Sequence, residues 1–460
     1  MDDTGPSEHG RAAGDRDAPS REDPADGAGD ARPGRRDRGI SRREFAKAAV
    51  AIGGASALSA CLGRNGEPDV ATGPEDLSTL PSRQHAWNEF LPTDDHGNVV
   101  APRHRILLLL DYAGDGPPTD ADRRTAESAF RSLERAYARG GDGLLFTVGY
   151  SPSYFERFDA SLPDSVDLQQ PRALAPFEDP ELDRQDAVVH LASNHASVAL
   201  AAEQALLGEK STLNGVEVSA DLAGVFETAD RRTGFVGDGL PADHQDVDGL
   251  PDSDVVSEDA PLYMGFKSGF KKNQATEDRV TIREGPFAGG TTHQLSEIEL
   301  NLEQWYQQDS RSQRVSKMFC PVHAEEDMVE GAGDNLGTSA KMEETGCPAH
   351  ADEHARQKGV VGHSQKSARA RDDDGSPLMI RRDFNSTDGG RAGLHFVSLQ
   401  RAVSDFVDTR EAMNGEDLAE RSAVGQKNNN GILQYMEVLR RGNFLLPPRE
   451  HRALPTPNPA

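Results

Sequence analysis

Arg105-Ile106-Leu107-Leu108-Leu109-Leu110-Asp111 is the stretch on which the fold turns. Its five successive large aliphatic residues read as a buried strand, stopped by Asp111 and by the Gly/Pro cluster that runs to Pro118. Over 125–139, Ala129, Leu133 and Ala136 then recur at helical spacing, and Gly140-Gly141 closes the helix. A second strand is expected over 144–150 and a third over 187–192, followed by a helix through Val198 and Ala201 to Leu207. Strand, helix, strand, strand, helix is the order of a ferredoxin-like α+β unit.

The second half repeats the style. Tyr263-Met264-Gly265-Phe266-Lys267-Ser268-Gly269 opens it, 289–295 reads as a strand and 300–306, with Trp305, as a helix. A polar insertion follows over 319–358, then two strands, a helix over 403–413 and a last apolar strand ending in Leu445-Leu446. The expected fold is therefore α+β, two ferredoxin-like halves with antiparallel sheets packed together. The first half spans 100–236, an acidic junction loop 237–260, and the second half, which carries the chemistry, 261–448.

At 460 residues the chain has room for a large core. Its 77 acidic against 50 basic side chains, net −27, are spread along the sequence. Such a balance disfavours nucleic acid as a partner and resembles the solvated acidic surface of halophilic proteins; a uniformly acidic surface with no specific role is the alternative.

Residues 1–40 are rich in Asp, Arg, Gly and Pro with almost no large apolar side chain, the composition of a disordered tail. Next comes Ser41-Arg42-Arg43-Glu44-Phe45-Ala46-Lys47, before a weakly apolar run that ends in Leu58-Ser59-Ala60-Cys61. The arginine pair resembles a twin-arginine export signal, and the run is too short and interrupted to span a membrane stably. Leu-Ser-Ala-Cys resembles a lipobox, which makes Cys61 the expected lipidation site; a chance cysteine beside an ordinary cleavage site is the alternative. Residues 41–61 thus imply export by the twin-arginine machinery and a lipid anchor on the outer face of the cell membrane. A Gly/Pro/Asp-rich linker is expected over 62–99 and a tail over 449–460.

The chemistry gathers in Gly362-His363-Ser364-Gln365-Lys366, Arg369, Arg371, Leu378-Met379-Ile380-Arg381-Arg382-Asp383-Phe384 and Gly393-Leu394-His395-Phe396-Val397-Ser398-Leu399-Gln400. A histidine ahead of an arginine on an apolar strand can put an imidazole and a guanidinium on opposite faces of one pocket. The plain alternative is that His363 is a surface histidine in a polar loop. A neutral imidazole can ligate iron and push electron density towards it. A fixed guanidinium opposite can stabilise negative charge on the leaving oxygen of hydrogen peroxide.

The order of these pieces resembles the dye-decolorizing (DyP-type) haem peroxidases over roughly 100–448. The resemblance is carried by Thr147-Val148-Gly149-Tyr150-Ser151-Pro152-Ser153-Tyr154-Phe155, Met-Gly-Phe-Lys-x-Gly, Gly-Gly-Thr before a strand, His363, the Arg381 strand and Gly-Leu-His-Phe-Val-Ser-Leu-Gln. It implies haem b in the second half, His363 as the iron ligand, Arg381 as the distal arginine and Phe396 at the cofactor. Lys366, Arg369 and Arg371 become partners for the haem propionates or, alternatively, members of a solvated loop. Hydrogen peroxide and a small-molecule reductant are the implied substrates, and self-association into a homo-oligomer is left open.

The family's Gly-x-x-Asp-Gly is here Gly265-Phe266-Lys267-Ser268-Gly269, and serine is not a base near neutral pH. Asp383 and His395 are the candidate substitutes, with ordinary strand or turn positions as the alternative. Asn428-Asn429-Asn430 stands where the family tends to carry an acidic partner for the histidine, which implies a reduced push. The chain is then a peroxidase, or a haem-binding or haem-handling lipoprotein of the same fold with weak or no turnover, or an interaction scaffold without haem.

Besides Cys61 there are two cysteines, in Cys320-Pro321-Val322-His323 and Cys347-Pro348-Ala349-His350. Cys320, His323, Cys347 and His350 could form a tetrahedral Cys₂His₂ set suited to zinc, or to copper if the geometry differs. A Cys320–Cys347 disulfide, plausible outside the cytoplasm, and polar-loop residues with no joint role are the alternatives.

Overall fold

A computed structural model describes residues 68–460. The tail read over 1–40, the twin-arginine stretch and the Cys61 lipobox lie outside the described residues. Among the described residues no helix is long and apolar enough to cross a membrane.

The first half is built from β1 (His104–Tyr112), α1 (Asp120–Ala136), β2 (Leu145–Tyr150), β3 (Ala187–Ser193), α2 (Ala196–Leu206) and β4 (Phe226–Phe235). α1 starts earlier than its apolar spacing implies because Thr119 and Asp122 form a capping box, the Asp122 carboxylate accepting from Thr119 N at 2.9 Å. The strands lie in the order β4-β1-β3-β2, all antiparallel. That is the ferredoxin-like arrangement, with the first and third strands at the centre.

The second half contributes β5 (Thr291–Leu300), α3 (Arg311–Met318), α4 (Ala351–Lys358), α5 (His363–Ser367), β6 (Met379–Arg381), β7 (Phe384–Ser386), β8 (Gly393–Gln400), α6 (Val403–Asn414) and β9 (Met436–Leu446). Its order β9-β5-β8-β6 repeats the first. The two sheets join where Tyr150 of β2 pairs with Leu445 of β9, and again through β7, which pairs with β8 and with Phe235 of β4. The strands therefore close into a ring.

Period-two alternation divides the leucine run between two cores. Leu107 and Leu109 face Leu295, Val397, Leu399, Phe444 and Leu446 inside the ring. Ile106, Leu108 and Leu110 face outward onto Ala129, Phe130 and Leu133 of α1 and Ala202 of α2. The outer face of the second sheet, with Ile298, Leu300, Phe396 and Val438, is covered by the helices and loops of 262–368, and a cavity lies between them.

Three segments outside the two sheets pack against the body of the fold. The part of the 62–99 linker that is described, 68–99, is docked: Trp87 is fully buried, and the Gln84 amide exchanges hydrogen bonds with Val148 (3.0 and 2.9 Å) while also donating to Pro447 O (2.9 Å). The 449–460 tail is docked as well. Tyr150 Oη donates to Arg452 O at 2.6 Å and accepts from Leu454 N at 2.8 Å, while Arg449 and Arg452 both clamp buried Glu134. Both segments looked like spacers because their anchoring is polar and their apolar residues are sparse. The 319–358 insertion is likewise built into the cavity wall, with Phe319 and Ala340 lining it.

Candidate active site

The cavity encloses about 1580 Å³ of empty space, its mouth included, and most of its wall is apolar. His363 enters it from the first residue of α5. Gly362 caps that helix, donating its N–H to Gln365 Oε1 at 3.0 Å. A Cβ on Gly362 would stand 1.7 Å from Phe319 O, so only glycine lets the helix approach this closely. Gln365, fully buried, makes two further ties: its N–H donates to Phe319 O at 3.2 Å and its side-chain amide to Cys347 O at 2.6 Å. The ring of His363 makes no hydrogen bond to another described residue. Burial first, then the charges of Arg381, Lys366 and Arg410, pull its pKa down to about 3. The imidazole is neutral at ordinary pH, with a lone pair to offer.

Arg381 ends β6, with Ser398 of β8 opposite it. Gln274 closes the other edge like a short strand, accepting from Arg381 N at 2.9 Å and donating to Arg381 O at 3.1 Å. The guanidinium lines the cavity and makes no ion pair among the described residues. Ser268, Phe396 and Arg371 line the same cavity.

Asp383 also lines it, with Oδ1 accepting from Val397 N at 3.2 Å. Its carboxyl is pushed up to about 6 by burial, against the opposing effects of Arg381, the Val397 N–H and Arg105. His395 lies on the opposite face of β8, packed on Phe384 at 5.1 Å between centroids, with Nε2 3.3 Å from Asp388 Oδ2. It is not among the cavity residues.

Two of the expected propionate partners stand outside the cavity. Lys366 is buried, and its ammonium donates to Asn430 O (3.0 Å), Asn430 Oδ1 (2.6 Å) and Met413 O. Arg369 pairs with Asp417 at the surface (2.6 Å). Asn430, which stands where the resemblance implies an acidic partner for the histidine, spends its carbonyl oxygens on Lys366 and its amide on Asn414 O (2.8 Å).

Arg410 and Arg441 line the cavity without any sequence signal to announce them. Arg410 rises from α6. A β-bulge between Val438 and Arg440 switches the facing of β9, so that Met436 and Val438 are followed into the cavity by Arg441. Both guanidiniums share Glu178, at 2.6 Å and 2.8 Å. Burial alone would push Glu178 up, but the Arg441 hydrogen bond and the nearby Arg410 charge hold it at about 2.

The zinc reading gives way to the disulfide. Cys320 and Cys347 are bonded to each other, so neither offers a thiolate. His323 sits 3.1 Å from Cys320 Sγ and 2.9 Å from Ala340 O, whereas His350 is exposed and hydrogen-bonded to Glu353 at 3.1 Å. Only three of the four residues converge.

A model of the family described as "Family of unknown function (DUF7405)" matches residues 102–448. No curated protein matches the chain. Among solved structures, the encapsulated DyP-type peroxidase from Mycobacterium smegmatis is similar with a TM-score of 0.52 at 13% identity, covering 80% of this chain and 100% of that one. A DypB variant of Rhodococcus jostii RHA1 in complex with heme gives 0.50 at 15%, covering 81% and 99%. A putative DyP-type peroxidase from Shewanella oneidensis gives 0.50 at 13%, covering 76% and 94%. At these identities the likeness is one of fold: two ferredoxin-like halves of antiparallel sheet and helix.

Proposed function

The chain belongs to the family of unknown function DUF7405, and on that premise we propose that it is a haem b protein that oxidises a small organic molecule with hydrogen peroxide. The observation that carries this reading is a neutral His363 and an Arg381 guanidinium, neither hydrogen-bonded nor ion-paired through its ring or guanidinium among the described residues, lining one largely apolar cavity. The donor set fits haem. His363 offers the iron ligand, Phe396 and Ile298 offer apolar contact, and Arg371 at the cavity wall offers a cation for a propionate. Haem, when bound, supplies a redox-active iron at which the peroxide oxygen–oxygen bond is cleaved. Arg381 binds peroxide and stabilises the negative charge that grows on the departing oxygen. The walls of the cavity exclude bulk water and strengthen that interaction.

An absorption spectrum tests it. Haem-reconstituted wild type gives a Soret band, and His363→Ala shifts or loses it; full, unshifted loading of His363→Ala overturns the ligand assignment.

Two observations favour a second reading, a haem-binding or haem-handling protein with little turnover. Ser268 faces the cavity at the position where the resemblance implies an aspartate, and Asn430, its side-chain oxygen taken by Lys366, offers His363 no carboxylate to accept from its ring N–H. Peroxide-driven oxidation at a rate indistinguishable from free haem supports this second reading over the first. The proposed setting is the outer face of the cell membrane, with Arg42 and Arg43 directing export and Cys61 carrying the lipid.

A further inference from the structure

Ser268 lines the cavity, yet a hydroxyl cannot accept a proton near neutral pH, so a peroxidase built on this site needs another base. We propose that Asp383 is that base: it takes the proton of the oxygen that stays and returns it to the oxygen that leaves. The inference rests on the haem reading above.

Among the described residues that line the cavity, Asp383 is the one carboxylate. It stands two positions from Arg381, with Arg382 between them turned the other way, 4.2 Å from the Trp87 ring centroid and 3.2 Å from Glu277. The proton acceptor and the charge stabiliser thus share one side of one short segment. Val397 N–H fixes Oδ1 at 3.2 Å, while Oδ2 makes no hydrogen bond to a described residue and stays free to accept. The charged groups facing the carboxyl are Arg381 from its own segment and Arg105 from β1, both cations. Its titration near 6 keeps it ionised at neutral pH yet able to hold a proton in transit.

The atoms balance. Hydrogen peroxide gives its near proton to Asp383, the O–O bond breaks, and the far OH takes that proton back and departs as water. The oxygen that stays leaves as a second water on taking two electrons from the organic reductant together with two protons, so that one peroxide gives two waters. Asp383 is unchanged over the cycle.

Cyanide binding to the haem-reconstituted full chain reads this step without turnover, because hydrogen cyanide must also surrender a proton to bind. At pH 7, Asp383→Asn slows cyanide association by about a hundredfold, in line with the usual worth of a positioned base. Asp383→Glu retains much of the rate, and Ser268→Asp added to Asp383→Asn restores it. Wild-type cyanide rates in Asp383→Asn, with an unchanged Soret band, overturn the assignment to Asp383 and leave the haem reading standing. A missing Soret band in wild type overturns the haem reading and this proposal together.

Discussion

Gln365 Nε2 donates to Cys347 O at 2.6 Å, so the helix that carries His363 hangs on the loop that the Cys320–Cys347 disulfide closes. The cysteines are 27 positions apart, and closing a loop of that size restricts the unfolded chain by about 3 kcal/mol. Reducing the protein, or replacing Cys347 by Ser, is expected to lower unfolding free energy by about that amount and to speed haem loss. Gln365→Met should speed haem loss with the disulfide intact. Denaturant unfolding with and without reductant, and the rate of haem transfer to an acceptor protein, check both.

Gly362 is a steric requirement, not a conformational one. Its backbone is extended, and the obstacle to a side chain is Phe319 O. Gly362→Ala is therefore expected to cost about 3 kcal/mol or to displace α5, overpacking of this kind having no flexible neighbour to absorb it. A melting curve and the position of the Soret band separate the two outcomes.

Glu178 anchors two cavity arginines at once. Its pKa is depressed in the folded state, so its contribution is present above the unfolded carboxyl range and is lost as pH falls from about 4.5 towards 2. The contribution is on the order of 3 kcal/mol. Glu178→Gln should remove this pH dependence and, by leaving Arg410 and Arg441 buried without a counter-charge, destabilise the protein by about 3–5 kcal/mol at neutral pH. Urea unfolding across that range measures it.

Asp383 has the opposite sign. Its folded pKa, about 6, lies above the unfolded value near 3.9, so ionisation costs stability that is fully present at pH 3 and lost as pH rises through 6. In haem-free protein, Asp383→Asn should melt with wild type at pH 4 and above it at pH 7. Equal melting temperatures at both values would place the carboxyl in free contact with water.

The leucine run, the helix at 403–413 and the last strand were legible because their apolar residues follow the period of the element they form. β4 was not. Its Glu227, Thr228 and Asp230 are polar, and its Arg231 and Arg232 are held by Glu203 and Asp183, contacts that only the folded chain creates. The site divides in the same way. His363, Ser268, Arg371, Arg381, Asp383 and Phe396 line the cavity, and His395 does not because alternation along β8 sends it to the other face. Lys366 and Arg369 stand outside the cavity, the first held by Asn430 and the second by Asp417, contacts that only the folded chain creates. Arg441 owes its place to a bulge, which shifts facing without leaving a mark in composition.

The single amide of Gln84 holds Val148 and Pro447, and the second of these lies 363 residues further along the chain. A chain emerging from the ribosome therefore cannot seal the seam between its halves until its last strand has been made. The closed ring is a late event, and a truncated product lacking the residues after Leu446 leaves the Gln84 and Glu134 anchors open. Such incomplete chains would present unfinished seams to proteases, so pairing across this sequence distance ties the durability of the fold to the making of β9 and the residues beside it.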